Sequence, residues 1–165
     1  MVDPSVAGCA VEQIKYFVNR LLETKIPVVT PPGGIACHLD AMKFLPNVPQ
    51  SQYPAGALTA ALYIASGIRT MERGTISMDR DKEGKEVLAD LELSRIALPR
   101  RVYTMSHVEY AIDRINWLYK HRNLIKGLKF VFEPPVLRFF EGRLEAIDDW
   151  GEDVAGALQK EIGEL

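Results

Sequence analysis

Apolar positions along the chain follow two periods, one typical of helices and the other typical of strands. In residues 11–25, VEQIKYFVNRLLETK, apolar side chains recur at steps of three and four with charged residues between them, which predicts an amphipathic helix. The same period returns over residues 106–125, where Ser106 is a plausible N-cap with Glu109 three residues later, and Gly127 a plausible stop. Both segments are predicted helices.

A third helix and several strands are predicted between and after these helices. The alanine- and leucine-rich segment from Pro54 to Gly67 begins with proline and ends with glycine, as helices often do. The shorter runs IPVV, IACHL, IRTMERGTIS, LSRIALP and LKFVF predict strands, while the charged residues 79–90 predict a loop and residues 148–165 a final helix. This order predicts an α/β (α+β) fold, with a mostly antiparallel sheet and helices on one face.

Composition narrows the classes of partner. The 165 residues suffice for one domain with a sizeable core, and a net charge of -2 does not fit a nucleic-acid-binding surface. No apolar run approaches the about 20 residues needed to cross a membrane. Cys9 and Cys37 are expected to be free thiols, because no secretory signal pattern precedes them. We therefore expect a cytoplasmic protein that binds neither nucleic acid nor membranes.

Two arginines in predicted strands pose a chemical question. Alternation along IRTMERGTIS places Arg73 among side chains modest enough to be buried, and Arg95 lies within LSRIALP. A guanidinium keeps its charge when buried, so it needs a partner. Charge-assisted hydrogen bonds contribute about 1.5 to 3 kcal/mol each. One interpretation is a structural salt bridge to an acid such as Glu72 or Glu92, and the other is a ligand carboxylate.

Other catalytic patterns are missing from the sequence. It contains no P-loop, no dinucleotide-binding glycine fingerprint, no paired CxxC and no nucleophile elbow. His38, His107 and His121 lack metal-ligand spacing, and we interpret them as surface or hydrogen-bonded structural groups. The segment PPGG is interpreted as a turn, because no helix start follows it.

Four longer motifs carry a family resemblance. In chain order they are GIRTMERGTIS, LSRIALPRRVYTMSH, YKHRNLIKGLKFVFEP and VLRFF. They resemble the C-terminal part of the β-eliminating lyases that use pyridoxal phosphate, the tyrosine phenol-lyases and tryptophan indole-lyases, and they are nearest to the former. The match runs from about Val11 to Ile147. It implies that residues 1–147 are the small, substrate-clamping C-terminal domain of a fold-type I, aspartate-aminotransferase-like enzyme, and residues 148–165 an acidic helical tail.

The resemblance also implies roles for four residues. Arg95 matches the arginine that binds the α-carboxylate of an aromatic amino acid substrate, which suits its bidentate fork. Arg73 matches the catalytic arginine that tyrosine phenol-lyases direct at the phenolic oxygen, where indole-lyases usually have an apolar residue. Phe139 and Phe140 match the aromatic pair that packs on the substrate ring, although core packing is an alternative for both. Ile35 stands where the family commonly has a histidine.

The family lysine that holds pyridoxal 5'-phosphate has no counterpart in this sequence. No lysine lies within three residues after a serine, the context that the family uses. The resemblance therefore implies that the cofactor belongs to the complete enzyme, and that this chain alone binds none and is inactive without an upstream cofactor-domain polypeptide. Whether the chain is itself an enzyme stays open.

Several readings of the whole chain are compatible with these observations. The first is a fragment or split subunit of a lyase that converts tyrosine to phenol, pyruvate and ammonia. The second is a non-catalytic interaction protein that pairs with itself or with a full-length lyase. The third keeps the lyase but makes its substrate tryptophan, as in an indole-lyase fragment, or cysteine. We expect a homo-oligomer.

Overall fold

The computed structural model describes residues 4–163. In chain order its helices are α1 (Pro4–Glu23), α2 (Ala41–Phe44), α3 (Pro54–Ser66), α4 (Met105–Lys120), α5 (Arg138–Glu141) and α6 (Trp150–Ile162). Its strands are β1 (Ala36–Asp40), β2 (Met71–Arg73), β3 (Leu93–Ala97), β4 (Leu128–Phe132) and β5 (Arg143–Ala146). The mixed helix-and-strand class predicted from the alternating patterns is confirmed, and residues 79–90 form the predicted loop.

The strands form two antiparallel sheets. One sheet has the order β1-β3-β2, with β3 in the centre, and β4 pairs with β5 in the other. In the larger sheet, Arg95 lies opposite His38 on one side and opposite Met71 on the other. Because successive side chains of a strand point to opposite faces, this register decides which residues share a face.

Helices pack against one face of the larger sheet. α1 contacts β1, α3 contacts β2 and β3, and α3 also packs on α4 and α6. The residues on this face are buried; they are Cys37, Leu39, Glu72, Ser94 and Ile96. The helices contribute the rest of the core, including Phe17, Leu58, Leu62, Ile112 and Ile115. Each such aliphatic or aromatic side chain contributes about 1.5 to 3 kcal/mol when buried, so this core holds the sheet against the helices.

Both boundaries predicted for α4 are wrong. α4 begins after Thr104 and not after Ser106, because the side chains of Thr104 and His107 form a capping box with the backbone. The same helix ends at Lys120, well before Gly127, and a short turn follows it. By contrast, α3 ends where predicted. Its cap, Gly67, has a φ of 70°, which glycine adopts without steric cost.

The strands predicted on either side of the PPGG turn, IPVV and IACHL, meet in the described chain at one isolated bridge. Val28 lies opposite Leu39, outside any continuous ladder on that side. The prolines in IPVVTPPGG have no N–H and cannot donate to a ladder. Along its other edge, β1 pairs over its whole length with β3.

The final helix predicted after Ile147 forms as α6 and contributes to the core; residues 164 and 165 of that prediction lie outside the described residues. Trp150 is 1% exposed, and its indole Nε1 donates a 3.0 Å hydrogen bond to the carbonyl oxygen of Gly127. Val154 and Leu158 are buried as well, four residues apart on one face of the helix. α6 therefore stabilises the fold that carries the sheet.

Two further findings concern classes of site. No helix within residues 4–163 is long and apolar enough to cross a membrane, and these residues contain no group of three or more His, Cys, Asp or Glu side chains that could hold a metal ion. Both cysteines are free, as predicted. Burial raises the pKa of the Cys37 thiol to about 12, so this thiol is an unreactive part of the core at neutral pH.

We expect Trp150→Ala to lower the free energy of unfolding by about 3 to 5 kcal/mol, because the substitution empties a core site and removes one of the two donors to the Gly127 carbonyl, the other being the backbone N of Ile147. Gln159→Ala, at an exposed position of the same helix, should change it by less than about 0.5 kcal/mol. Urea denaturation of the full chain, followed by circular dichroism, measures both. Equally small effects would mean that α6 contributes little to the core.

Candidate functional site

The face of the larger sheet that points away from the core carries both strand arginines. We call it the open face; its strand residues are Ala36, His38, Asp40, Met71, Arg73, Leu93, Arg95 and Ala97. Arg95 and His38 lie directly opposite each other on adjacent strands. Arg73 lies opposite Leu93, which is two residues before Arg95 in β3. The register therefore brings both arginines onto one face.

The prediction that β2 buries Arg73 is wrong in this chain, because Arg73 is exposed and Glu72 is buried. β2 has only three residues, and its pairing with β3 places Glu72 opposite the buried Ser94. Register therefore overrides the polarity of the side chains. Glu72 is satisfied in the core by hydrogen bonds from Ser77 Oγ at 2.6 Å and from the backbone N of Ile76 at 3.3 Å. Burial raises the pKa of Glu72, and the Ser77 hydrogen bond opposes that shift.

Neither Arg73 nor Arg95 forms a salt bridge with an acid anywhere in residues 4–163. Glu72 lies on the opposite face, and Glu92 accepts hydrogen bonds from Thr75 N at 2.9 Å and from Thr75 Oγ1 at 2.5 Å. The structural salt bridge considered for the two arginines is therefore wrong for the described chain. Both guanidiniums are available to an anionic ligand.

The two arginines are diagonal neighbours on adjacent strands. Arg95 pairs with Met71, and Arg73 pairs with Leu93. Diagonal neighbours on one face of an antiparallel sheet lie about 7 to 8 Å apart, within reach of long side chains. A single ligand of amino-acid size can therefore contact both guanidiniums at once.

His38 is the third polar side chain at this point of the open face, and sequence reasoning assigned it to no site. It is half-buried, and the pKa of its imidazole is lowered by burial, then by the charges of Arg95 and Arg73. A neutral imidazole both donates and accepts hydrogen bonds. Alternation along β1 places His38 on the face opposite to Cys37 and Leu39, and this much could be predicted from the sequence. No sequence pattern indicated that β3 would lie beside His38.

Helix α5 carries Phe139 and Phe140 and packs against the turn Thr75–Ser77, which begins two residues after Arg73. Phe139 is partly buried against the core, so core packing accounts for part of its environment. Phe140 is 77% exposed. The two rings meet edge to face, with their centroids 5.0 Å apart. The pair lies near the β2 turn, and neither ring stacks on Arg73 or Arg95 within the described residues.

Three surface hollows of the described chain lie away from the two arginines and the aromatic pair. Two hollows of about 700 Å³ each lie beside α1 and α4, and one of about 390 Å³ reaches Ala97 at the end of β3. None of the three is lined by Arg73, Arg95, Phe139 or Phe140. None of these three hollows therefore encloses the two arginines or the aromatic pair.

The open face suits a carboxylate ligand and does not suit pyridoxal phosphate held through a lysine. Its strand residues within the described chain include two guanidiniums and an imidazole but no lysine. Lys43, in the short helix α2 that follows β1, pairs with the Asp40 carboxylate at 2.7 Å. The residues present therefore fit the binding of a substrate anion, and a lysine-bound cofactor would have to come from another segment.

Comparison with curated proteins finds relatives over most of the chain. The tyrosine phenol-lyase of Symbiobacterium thermophilum is 47% identical over 148 residues, which are 89% of this chain and 32% of that protein. The tyrosine phenol-lyases of Pasteurella multocida and Lacrimispora saccharolytica are 49% and 50% identical over 136 and 137 residues, 82% of this chain and 30% and 29% of those proteins. No protein-family model matches the chain.

The similarity agrees with the motifs that resembled the β-eliminating lyases. The chain spans about a third of the length of the relatives that it matches, and the matched portion is their C-terminal part. The chain is therefore a relative of the tyrosine phenol-lyases and corresponds to the C-terminal part of these proteins.

Proposed function

We propose that this chain is the substrate-clamping C-terminal part, as a fragment or split subunit, of a pyridoxal-phosphate-dependent lyase that converts tyrosine to phenol, pyruvate and ammonia. One observation carries the proposal: Arg73 and Arg95 extend from the same face of the sheet, and neither has an acidic partner within residues 4–163. The similarity to tyrosine phenol-lyases supports it.

Arg95 binds the α-carboxylate of the substrate in this proposal. Its planar fork can donate two parallel hydrogen bonds to a carboxylate, which orients the substrate as well as binding it. Arg95 is half-buried in the centre of the sheet, so the strand backbone holds its base in place. The neutral imidazole of His38 beside it offers a further hydrogen bond without adding positive charge.

Arg73 acts at the other end of the substrate. As the bond to the aromatic ring breaks, the departing phenol carries developing negative charge on its oxygen, and a fixed cation nearby stabilises that charge. The guanidinium does not lose its proton at neutral pH, so it donates hydrogen bonds throughout. Phe139 and Phe140 pack on the ring between the two arginines. The diagonal spacing on the sheet suits a substrate with a carboxylate at one end and a phenolic oxygen at the other.

The cofactor supplies the electron sink for the elimination, and another polypeptide segment provides it in this proposal. The residues of this chain bind the substrate, orient it and stabilise the leaving group. We therefore expect the chain alone to hold no cofactor and to be inactive, and an upstream cofactor-domain polypeptide to complete the site.

Exposed apolar side chains around α5 favour a protein partner. Phe132, Val136, Leu137 and Phe140 are each more than half exposed, and grouped apolar side chains of this kind mark interaction surfaces. In the primary proposal the cofactor-domain polypeptide covers them, within a homo-oligomer. The same side chains favour a second candidate, a non-catalytic interaction protein that pairs with itself or with a full-length lyase.

Mixing the full chain with a polypeptide equivalent to the remaining N-terminal part of a tyrosine phenol-lyase should restore a visible absorbance band of bound pyridoxal phosphate and release phenol from tyrosine. Spectroscopy, a phenol assay and gel filtration measure the outcome, with each polypeptide alone as the control. A stable oligomer of the chain alone that ignores both the cofactor and the added polypeptide would favour the interaction protein instead.

We expect Arg73→Ile to reduce the affinity of the full chain for 3-(4-hydroxyphenyl)propionate by about tenfold, because it removes a charge-assisted hydrogen bond to the phenolic oxygen. The affinity for 3-phenylpropionate, which lacks that oxygen, should change by less than about twofold. NMR titration measures both, with Arg100→Ile in the exposed loop after β3 as the control. An unchanged ratio would favour the tryptophan or cysteine alternative.

We expect Arg95→Met to raise the pKa of His38 toward its ordinary value, because it removes one of the guanidiniums that lower it. A carboxylate bound to the unchanged chain should raise the same pKa, since its negative charge offsets the guanidiniums. NMR pH titration of the His38 ring, with and without 3-(4-hydroxyphenyl)propionate, measures both effects. Arg100→Met should alter neither.

The pH dependence of stability has a defined sign. The folded pKa of His38 lies below the unfolded value of about 6.5, so its contribution to stability is complete above that value and is lost as the pH falls through it toward the folded pKa. Arg95→Met should make this loss of stability at low pH smaller. A carboxylate that leaves the His38 titration of the unchanged chain unmoved would count against ligand binding at Arg95.

A further inference from the structure

Thr75, two residues after Arg73, is the most completely hydrogen-bonded residue of the β2 turn. It is fully buried. Its N and Oγ1 donate to Glu92 Oε1, and its Oγ1 accepts from the backbone N of Ala89 at 3.1 Å. A Cβ added at Gly74 would meet the carboxylates of Glu92 and Glu72, so a larger residue here would displace the acid that holds Thr75.

Glu92 holds the turn from the side of the sheet. It is 1% exposed, and its partners within the described residues are neutral donors. Besides Thr75, they are Gln50 Nε2 at 3.2 Å and the backbone N of Ala55 at 3.2 Å. Ala55 lies in the first turn of α3, where the helix dipole favours a negative charge. Because Glu92 directly precedes β3, it joins the end of β2 to the start of the strand that carries Arg95.

Arg138 holds the same turn from the side of α5. It is 2% exposed, and its Nη2 donates to the carbonyl oxygen of Thr75 and to Glu86 Oε1, each at 2.5 Å. Its Nη1 donates to Glu133 Oε1 at 2.9 Å. Burial works against the charge, but Glu86 and Glu133 outweigh it and raise the pKa of Arg138. The guanidinium therefore stays charged and joins three segments of the chain.

The position of α5 depends on this contact. The helix has four residues and begins at Arg138, directly after Leu137 in the left-handed conformation with a φ of 59°. So short a helix has little stability of its own, and Arg138 is its one fully buried residue. Phe139 and Phe140 follow Arg138 in the same turn, so the buried guanidinium locates both rings.

We propose that Arg138 and Glu92 are positioning residues that hold Thr75 between them, and so fix Arg73 relative to the aromatic pair on α5. We call Glu92, Thr75 and Arg138 the Thr75 network. This inference rests on the proposed function of Arg73 and of the two phenylalanines. The network couples Arg73 to the aromatic pair on α5, so a change at Arg138 reaches Arg73 through the backbone of the turn.

A buried charge of this kind is costly, which argues for a role beyond packing. Apolar side chains of similar volume often stabilise a core as well as a buried ion pair does. Unlike an apolar side chain, Arg138 fixes the relative positions of its partners, because its planar guanidinium donates to Thr75, Glu86 and Glu133. Arg80 pairs with the same Glu133 through Nε at 2.8 Å and Nη2 at 2.7 Å from the exposed side, and it has no hydrogen bond to Thr75 within residues 4–163.

Hydrogen exchange of the full chain tests the network directly. Arg138→Met should accelerate exchange at least about tenfold at the amides of Ser77 and Met78 in the β2 turn and at those of α5 and Gly142. Arg80→Met is the matched control and should leave the turn unchanged. Acceleration confined to α5, or absent from both segments, would overturn the inference.

A milder variant covers the case in which Arg138→Met does not fold. Glu86→Gln keeps an acceptor near Arg138 but removes one negative charge, and it should accelerate exchange in the turn and in α5 together by a smaller factor. An effect on only one of the two segments would equally contradict the network.

Ligand binding separates positioning from stability. Arg138→Met should lower the affinity for 3-(4-hydroxyphenyl)propionate by about tenfold. The affinity for propionate, which needs only Arg95, should change by less than about twofold. An equal loss of affinity for both acids would contradict the positioning role. If the unchanged chain binds neither acid, the proposed function fails at Arg95, while hydrogen exchange still decides whether the Thr75 network couples the two segments.

Discussion

The register of β3 between its two neighbours is the constraint on which the candidate site depends. A shift by one residue would turn Arg95 into the core and bring Ser94 onto the open face, because strand side chains alternate. Ser94 opposes such a shift: its buried hydroxyl shares hydrogen bonds with Thr59 at 3.1 Å and with Thr70 at 2.9 Å. A buried hydroxyl without these partners would be costly, so this small polar contact on the core face sets the position of the guanidinium on the other.

The burial of Glu72 and Glu92 also shapes the open face, because these acids do not pair with the arginines there. Glu72 and Glu92 lie close to Gly74, within 2.8 Å of the position that its Cβ would take, yet both are satisfied by hydroxyl, amide and backbone donors. Had either acid turned to the open face, it would have neutralised Arg73 or Arg95. Polar satisfaction inside the core thus creates the positive surface outside it.

In the function we propose, the open face is one part of a larger site. Arg73 and Arg95 share that face without an acidic partner in the described chain, and the chain spans about a third of the length of its curated relatives. Phe132, Val136, Leu137 and Phe140 are each more than half exposed. In the same proposal, a polypeptide that covers these apolar side chains and closes over the substrate excludes water from the arginines.

The sequence by itself determined the long helices, most of the strands, the free thiols and the relationship to the tyrosine phenol-lyases, because periodicity, proline and glycine signals and long motifs are local properties of the chain. It misplaced the cap of α4 and buried Arg73. Only the tertiary structure decided which side chains of β1, β2 and β3 share a face. Those strands are separated by tens of residues, and their register follows from hydrogen bonds and packing in a common core, which no local pattern contains.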